Sequence, residues 1–138
     1  MRLVLDTNVI ISGFLSSGGP PARLLDLWDE DQYYTLISAE VQIAELMRVV
    51  EYPKLRARLN SALIHDWVFT LRRFGLLLGD LPTIDISPDP NDNFLLAMAQ
   101  AGQADLLVTG DKRDLLALKR HGTTMIVTAR AAVDRLRG

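Results

Sequence analysis

Two aspartates each follow an apolar run of the kind found in strands that are buried on both faces. Asp6 comes directly after residues 3–5, and Asp111 follows residues 106–109 and Gly110. In open α/β sheets, ligands bind outside the carboxyl ends of the parallel strands. We therefore expect both carboxylates at one edge of a parallel sheet, with Gly110 allowing the backbone to turn sharply there.

Two further acids lie in segments that we predict to be helical. Asp92 falls in the first turn of a helix opened by Asp89-Pro90, and Glu45 falls about two turns into the helix after the second apolar run. Whether these side chains reach the same edge depends on how the helices dock, which the sequence does not specify. Asp92 and Glu45 are therefore candidate members of the same site.

A cluster of carboxylates has a specific chemical use. Carboxylates held close together repel one another and raise each other's pKa unless a divalent cation neutralises them. An all-oxygen cluster is typical of Mg²⁺ or Mn²⁺ sites. One or two such ions can activate water, hold a scissile phosphate and stabilise the leaving oxygen. The acids thus predict metal-dependent phosphodiester hydrolysis, with the following metal ligands: Asp6, Glu45, Asp92 and Asp111.

Each of these acids also has an ordinary structural interpretation. Asp6 and Asp111 could cap the helices that follow them, and Asp92 could belong to a capping box. Glu45 could pair with Arg48 one helical turn away. The metal role is favoured because the arrangement at Asp6 recurs at Asp111, and because the apolar neighbours of Glu45 indicate partial burial, where an unpaired carboxylate is costly.

The remaining pattern predicts the scaffold that would position these acids. Apolar runs at residues 3–5, 34–37, 106–109 and 125–127 predict four strands, each followed by a helical segment. Such alternation is typical of a doubly wound α/β domain with right-handed crossovers. The predicted helix boundaries and loop are as follows: a helix opened by Pro20-Pro21, one capped by Ser38 and running to about Val50, a long helical region over 54–78 with a break near Asn60, one from Pro90 to near Gly102, a helix end at His121-Gly122, a last helix from Ala129, and a loop marked by Gly13, Gly18 and Gly19.

Composition limits the class of protein. The 138 residues, 49% of them hydrophobic, suit one domain over residues 1–138. No apolar run approaches the length of a membrane span, the start is too soon interrupted by Asp6 for a signal peptide, and there is no cysteine for disulfides or thiolate sites. We expect a cytoplasmic protein without a membrane segment.

The net charge of the chain is -2. If a protein with this charge binds nucleic acid, its Lys and Arg side chains must be concentrated on one face. The candidate basic groups are residues 54–58, 72–73 and 112–113, each of which could equally be a solvated helix face.

The ordered set of motifs resembles the PIN domain family. The resemblance rests on Leu5-Asp6-Thr7-Asn8-Val9, on Glu45, on Asp89-Pro90-Asn91-Asp92-Asn93 and on Val108-Thr109-Gly110-Asp111-Lys112. These motifs span nearly the whole chain, in the family's order. The closest agreement is with members described as toxin components of toxin-antitoxin systems.

This resemblance implies a three-layer α/β/α sandwich with a central, mostly parallel sheet. It implies a ribonuclease that depends on Mg²⁺ or Mn²⁺ and uses the four acids as ligands. Asn8 and Thr109 would orient the ligands or the water, and Asp114 matches a position that is often acidic. The resemblance further implies an RNA substrate, a cognate antitoxin protein and a homodimer.

Two other functions fit parts of the pattern. Asp6 after an apolar strand, with residues 110–114 late in the chain, resembles a haloacid-dehalogenase-like phosphatase. In that family a second Asp usually stands two residues after the nucleophile, where this chain has Asn8. A non-catalytic module that binds RNA or a partner is the other alternative, against which the retention of all four acids counts.

Overall fold

The computed structural model describes residues 1–110 and 113–137, with Arg113 described by its backbone alone. The predicted ligand Asp111 lies outside these residues, as does Lys112. The strands are β1 (Arg2–Leu5), β2 (Thr35–Ala39), β3 (Leu76–Leu78), β4 (Leu106–Val108), β5 (Arg120–His121) and β6 (Thr124–Val127). The helices are α1 (Thr7–Leu15), α2 (Pro20–Asp29), α3 (Glu40–Val49), α4 (Pro53–Arg56), α5 (Ser61–Phe74), α6 (Pro90–Gly102), α7 (Arg113–Leu118) and α8 (Ala129–Arg137).

The described strands form one six-stranded sheet in the order β3-β2-β1-β4-β6-β5. All neighbouring strands are parallel except β5 and β6, which form an antiparallel hairpin. Because β1, β4 and β6 are parallel neighbours, their carboxyl ends meet at one edge, which we call the carboxyl edge. None of the helices in the described ranges is both long and apolar enough to cross a membrane.

Helices cover both faces of the sheet, which confirms the predicted three-layer α/β/α architecture. Leu3 and Leu5 of β1 pack in the core shared with α1, α2, α3, α5 and α8, whereas Val4 packs on the opposite face with α6 and α7. Side chains alternate between the two faces along a strand. A strand with a helical layer on each side must therefore be apolar throughout, which is why the sequence of β1 is a continuous apolar run.

The predicted helical region over residues 54–78 is wrong at its carboxyl end. The break near Asn60 is confirmed, since the Asn60 side chain accepts hydrogen bonds from two backbone amides at the start of α5. However, α5 ends at Phe74, and the edge strand β3 begins after the single residue Gly75. Three consecutive leucines are compatible with either helix or strand by periodicity, and their pairing with β2 decides the outcome.

Gly75 makes this immediate change from helix to strand sterically feasible. A Cβ atom at this position would lie 2.6 Å from the Leu71 carbonyl oxygen. We expect Gly75→Ala to destabilise the protein by about 1–3 kcal/mol, because backbone atoms must move to relieve the overlap. Gly79→Ala is the matched control, since a Cβ there meets no atom within 4 Å. Urea unfolding checks this prediction, and equal stability of the two variants would contradict it.

Three smaller predictions are also corrected. Gly13 lies inside α1 rather than in a loop. A glycine is favoured there because α1 packs closely on α2, and a Cβ atom would fall 2.5 Å from Leu25 Cδ1. Ser38 lies in β2 and the N-cap of α3 is Ala39, since the Ser38 hydroxyl donates to Gln42 instead. His121 belongs to the β5–β6 hairpin rather than to a helix end.

Candidate functional site

A cavity of about 530 Å³ opens at the carboxyl edge of the sheet. Asp6 reaches it from the end of β1, Thr109 and Gly110 from the end of β4, and Thr128 from the end of β6. The pairing of β1 with β4 continues one residue beyond the end of β1, since the Asp6 backbone N–H donates to the Val108 carbonyl at 2.8 Å. The prediction that Asp6 lies at the carboxyl edge is therefore confirmed.

The Asp6 carboxylate is buried, with 2% of the residue exposed, and is held in a fixed orientation. Its Oδ1 accepts a hydrogen bond from the backbone N–H of Asn8 at 3.1 Å, and its Oδ2 accepts one from the Thr109 hydroxyl at 2.9 Å. The first bond makes Asp6 the N-cap of α1, so the helix-capping interpretation is correct. Capping uses only Oδ1, whereas the hydrogen bond to Oδ2 links the ends of β1 and β4. Because Asp6 also lines the cavity, it has a role at the cavity in addition to capping α1.

Gln42 supports the backbone at Asp6 and was missed at the sequence level. This buried side chain donates from Nε2 to the Leu5 carbonyl at 2.7 Å, and its Oε1 accepts the Ser38 hydroxyl at 2.7 Å. A second contact from Nε2 reaches the Thr7 hydroxyl at 3.4 Å. Gln42 thus ties the start of α3 to the junction between β1 and α1. The four-residue spacing of Ser38 and Gln42 was the available signal.

Asp92 is also buried, with 2% exposed, and lies in the first turn of α6. The Ser87 hydroxyl donates to its Oδ2 at 2.9 Å. Asn93 secures the segment that carries Ser87, accepting from the Ser87 amide at 2.8 Å and donating to the Ser87 carbonyl at 2.8 Å. Asp89 provides the N-cap through the Asn91 amide, so the Asp92 carboxylate is not needed as the helix cap. Ser87 was not identified from the sequence.

Both helices that carry the other predicted acids begin at the carboxyl edge. The last residue of α6, Gly102, accepts a hydrogen bond from Arg2 Nη1 at 2.9 Å, so that end lies beside the start of β1. The start of β1 lies opposite the carboxyl edge. The first turn of α6, which carries Asp92, must therefore lie toward the carboxyl edge. Helix α3 follows β2 without a loop, and Glu45 is half-buried within it. Glu45 forms no salt bridge with any described residue, so the alternative role of Glu45 as a partner of Arg48 is not observed there.

The predicted site residues are only partly brought together. Asp6, Asn8 and Thr109 line the cavity, whereas Asp92 and Glu45 do not, and Asp114 is exposed in the first turn of α7. Within residues 1–110 and 113–137, no three His, Asp or Glu side chains are grouped closely enough to hold a metal ion. Because Asp111 is outside these ranges, the four-acid cluster stays a prediction.

Comparison with known proteins provides independent information about the family and the fold. A family model described as PIN domain matches residues 2–113. A protein of Methanocaldococcus jannaschii whose function is uncharacterised is 28% identical over 120 residues, which cover 86% of this chain and 76% of the relative. The crystal structure of VapBC2 from Rickettsia felis bound to a DNA fragment from their promoter superposes with a TM-score of 0.57 at 18% identity, covering 93% of this chain and 98% of the other. This structural likeness concerns the fold alone.

Proposed function

Because the chain belongs to the PIN domain family, we propose that it is a divalent-metal-dependent ribonuclease that hydrolyses phosphodiester bonds of RNA at the cavity beside Asp6. The observation that carries the proposal is a buried carboxylate at the carboxyl edge, oriented by hydrogen bonds from two different elements. A surface helix cap requires neither the burial nor the bond from the adjacent strand.

The cavity lining supplies the Asp6 carboxylate and the hydroxyls of Ser12, Thr109 and Thr128. Oxygen donors of this kind are the ligands that Mg²⁺ and Mn²⁺ prefer. We assign Asp6, Glu45, Asp92 and Asp111 as the acids that would hold the ion. When bound, the ion would lower the pKa of a water molecule and offset negative charge on the phosphate. Thr109 and the Asn8 amide would keep Asp6 oriented throughout, so that its carboxylate does not have to reorganise during the reaction.

The same cavity would bind the substrate. Its lining residues follow the ends of three strands or belong to the helices α1, α2 and α8, so their positions are fixed by packed elements rather than by a long loop. A site built on rigid elements holds its catalytic groups more precisely than one built on loops. We assign the roles of water and ligand orientation to Asn8 and Thr109, with a supporting role for Asp114.

The direct test is incubation of the purified protein with a mixed RNA pool and, separately, with a small phosphate monoester, each with Mg²⁺ or Mn²⁺. A ribonuclease shortens RNA and leaves the monoester intact. Release of phosphate from the monoester without RNA cleavage would instead identify a phosphatase. RNA binding without either reaction would identify a non-catalytic module.

We further propose a cytoplasmic toxin component that is controlled by an antitoxin protein and forms a homodimer, with residues 1–138 as one nuclease domain. The overall similarity to VapBC2 supports this assignment at the level of fold. Exposed apolar side chains on two helices, with 60% of Val41 and 67% of Phe69 accessible, are compatible with protein partners. Size-exclusion chromatography with light scattering tests the dimer, and co-expression with a neighbouring gene product tests the antitoxin.

Ser87 has a testable role as a positioning residue. Removal of its hydroxyl by Ser87→Ala should weaken activity and metal affinity about 10–100-fold, because groups that orient a metal ligand typically have effects of that size. Ser87→Thr, which keeps the hydroxyl, should restore most of the loss. Calorimetric titration with Mn²⁺ measures the metal affinity of each variant, and an unfolding curve measures its stability. A loss of stability with unchanged Mn²⁺ affinity would show that Ser87 is only structural.

A further inference from the structure

A second depression, of about 250 Å³, adjoins the cavity beside Asp6. The two share Pro20 and Arg130 in their linings. Three arginines line the second depression, Arg23 from α2 and Arg130 and Arg137 from α8. All three are exposed. A carboxylate cavity and an arginine-lined depression are therefore continuous on the surface.

The charge of this depression is suited to an anion. Its lining contains three guanidinium groups and one carboxylate, that of Asp134. Across the described residues, none of the three arginines forms a salt bridge, although Asp134 lies four residues after Arg130 and three before Arg137. The guanidinium groups are thus available to a polyanion, and arginine forms bidentate hydrogen bonds with phosphate.

The spacing of the arginines suits a strand rather than a single phosphate. Arg130 and Arg137 are seven residues apart on α8, which places their Cα atoms roughly 10 Å apart along one helix face. With one phosphate per roughly 3.4 Å of stacked strand, that distance corresponds to about three phosphates. Arg23 extends the positive surface onto α2, which packs directly against α8.

On these grounds we propose that a single RNA strand leaves the cavity beside Asp6 over Pro20 and Arg130 and continues along Arg23 and Arg137. We call this surface the arginine track; the proposal rests on the proposed function. Arg130, at the junction, would contact the phosphate nearest the site of cleavage. Because these contacts are to phosphate, the track would set the direction and affinity of binding without selecting a base sequence.

The basic groups predicted from the sequence fit this role less well. Arg56 is paired with Glu51 at 3.8 Å, and Arg72 is paired with Glu40 at 3.2 Å. Neither arginine lines the cavity beside Asp6. The third predicted group, at residues 112–113, has no described side chain. The arginine track was missed because Arg23 on α2 lies 107 residues before Arg130 on α8, so the sequence does not show that the two helices bring these arginines together.

The test measures binding of a fluorescein-labelled single-stranded RNA by anisotropy in the presence of a chelator, so that the RNA stays intact. Arg130→Ala should weaken binding about tenfold. The triple variant Arg23→Ala/Arg130→Ala/Arg137→Ala should lower the slope of log K against log salt by about 2, at roughly 0.7 per phosphate contact on a single strand. The control Arg56→Ala/Arg72→Ala should bind as the wild type does. Melting curves of all variants verify that they are folded.

The outcomes separate this proposal from the ribonuclease proposal. Loss of binding in the track variants supports the track whether or not the metal-loaded protein cleaves RNA. Wild-type affinity in the triple variant overturns the track, and so does an equal loss in the Arg56 and Arg72 control. Wild-type protein that binds no RNA overturns it as well. RNA cleavage by a triple variant that binds normally would leave the ribonuclease proposal standing alone.

Discussion

Replacing Asp6 by Asn should reduce RNA cleavage by at least about 100-fold. The substitution removes one negative charge where a divalent cation is expected. Loss of about 3 kcal/mol of stabilisation at a metal site slows a reaction by roughly that factor. The side-chain amide introduced at position 6 keeps an oxygen that can accept a hydrogen bond from the backbone N–H of Asn8. Its NH₂ group can donate a hydrogen bond to the Thr109 hydroxyl. The fold should therefore persist, and a thermal melt should show a small change.

The matched control for this variant is Asp66→Asn, which removes the same charge from the exposed face of α5. It should cleave RNA at the wild-type rate. Initial rates on one fluorescent RNA at a fixed Mn²⁺ concentration compare the three proteins. Full activity of Asp6→Asn would remove the basis for placing the reaction at this cavity.

Asp92→Asn should have an effect of similar size, which is the more demanding prediction because Asp92 does not line the cavity. Its carboxylate is buried to the same degree as that of Asp6, and the Ser87 hydroxyl orients it. Keeping a carboxylate buried is costly unless it is compensated, and a divalent cation at the carboxyl edge would provide part of that compensation. We therefore expect weaker Mn²⁺ binding and at least about 100-fold slower cleavage.

Asp89→Asn is the control for Asp92, three residues earlier in the same segment. Asn is as good an N-cap as Asp, so the hydrogen bond to the Asn91 amide and the start of α6 should be kept. Activity should stay at the wild-type level. Equal losses in the Asp89 and Asp92 variants would mean that general negative charge near α6 matters, and that Asp92 is not a specific ligand.

Four of the six described strands, β1, β2, β4 and β6, could be predicted because burial leaves a clear pattern in their sequences. A parallel strand covered on both sides must be apolar at consecutive positions, as residues 3–5 and 106–108 are. The edge strand β3 could not be predicted, because Leu76–Leu78 gives no periodicity that distinguishes a strand from the end of a helix. Its assignment depends on pairing with β2, a tertiary contact.

In the candidate site, too, some residues could be predicted from local sequence and others depend on tertiary contacts. Asp6 could be placed at the carboxyl edge from its position after an apolar strand alone. Thr109 entered only through the family resemblance, and its hydrogen bond to Asp6 spans 103 residues. Gln42 and Ser87 were missed because hydroxyl and amide side chains have many ordinary uses, and their role depends on partners that the fold brings close. Local sequence thus placed one charged group, Asp6, but not the neutral groups that orient it.

The measurement that tests the central claim most directly follows cleavage of a mixed RNA pool by the wild-type protein in three successive states. These are the protein with Mg²⁺ or Mn²⁺, the protein with excess chelator, and the chelated protein with the metal restored, with Asp6→Asn carried through each state. We expect cleavage in the first state, none in the second, recovery in the third, and none at any stage for the variant. Cleavage that persists in the chelator, or that Asp6→Asn retains, would contradict a metal-dependent ribonuclease at this site.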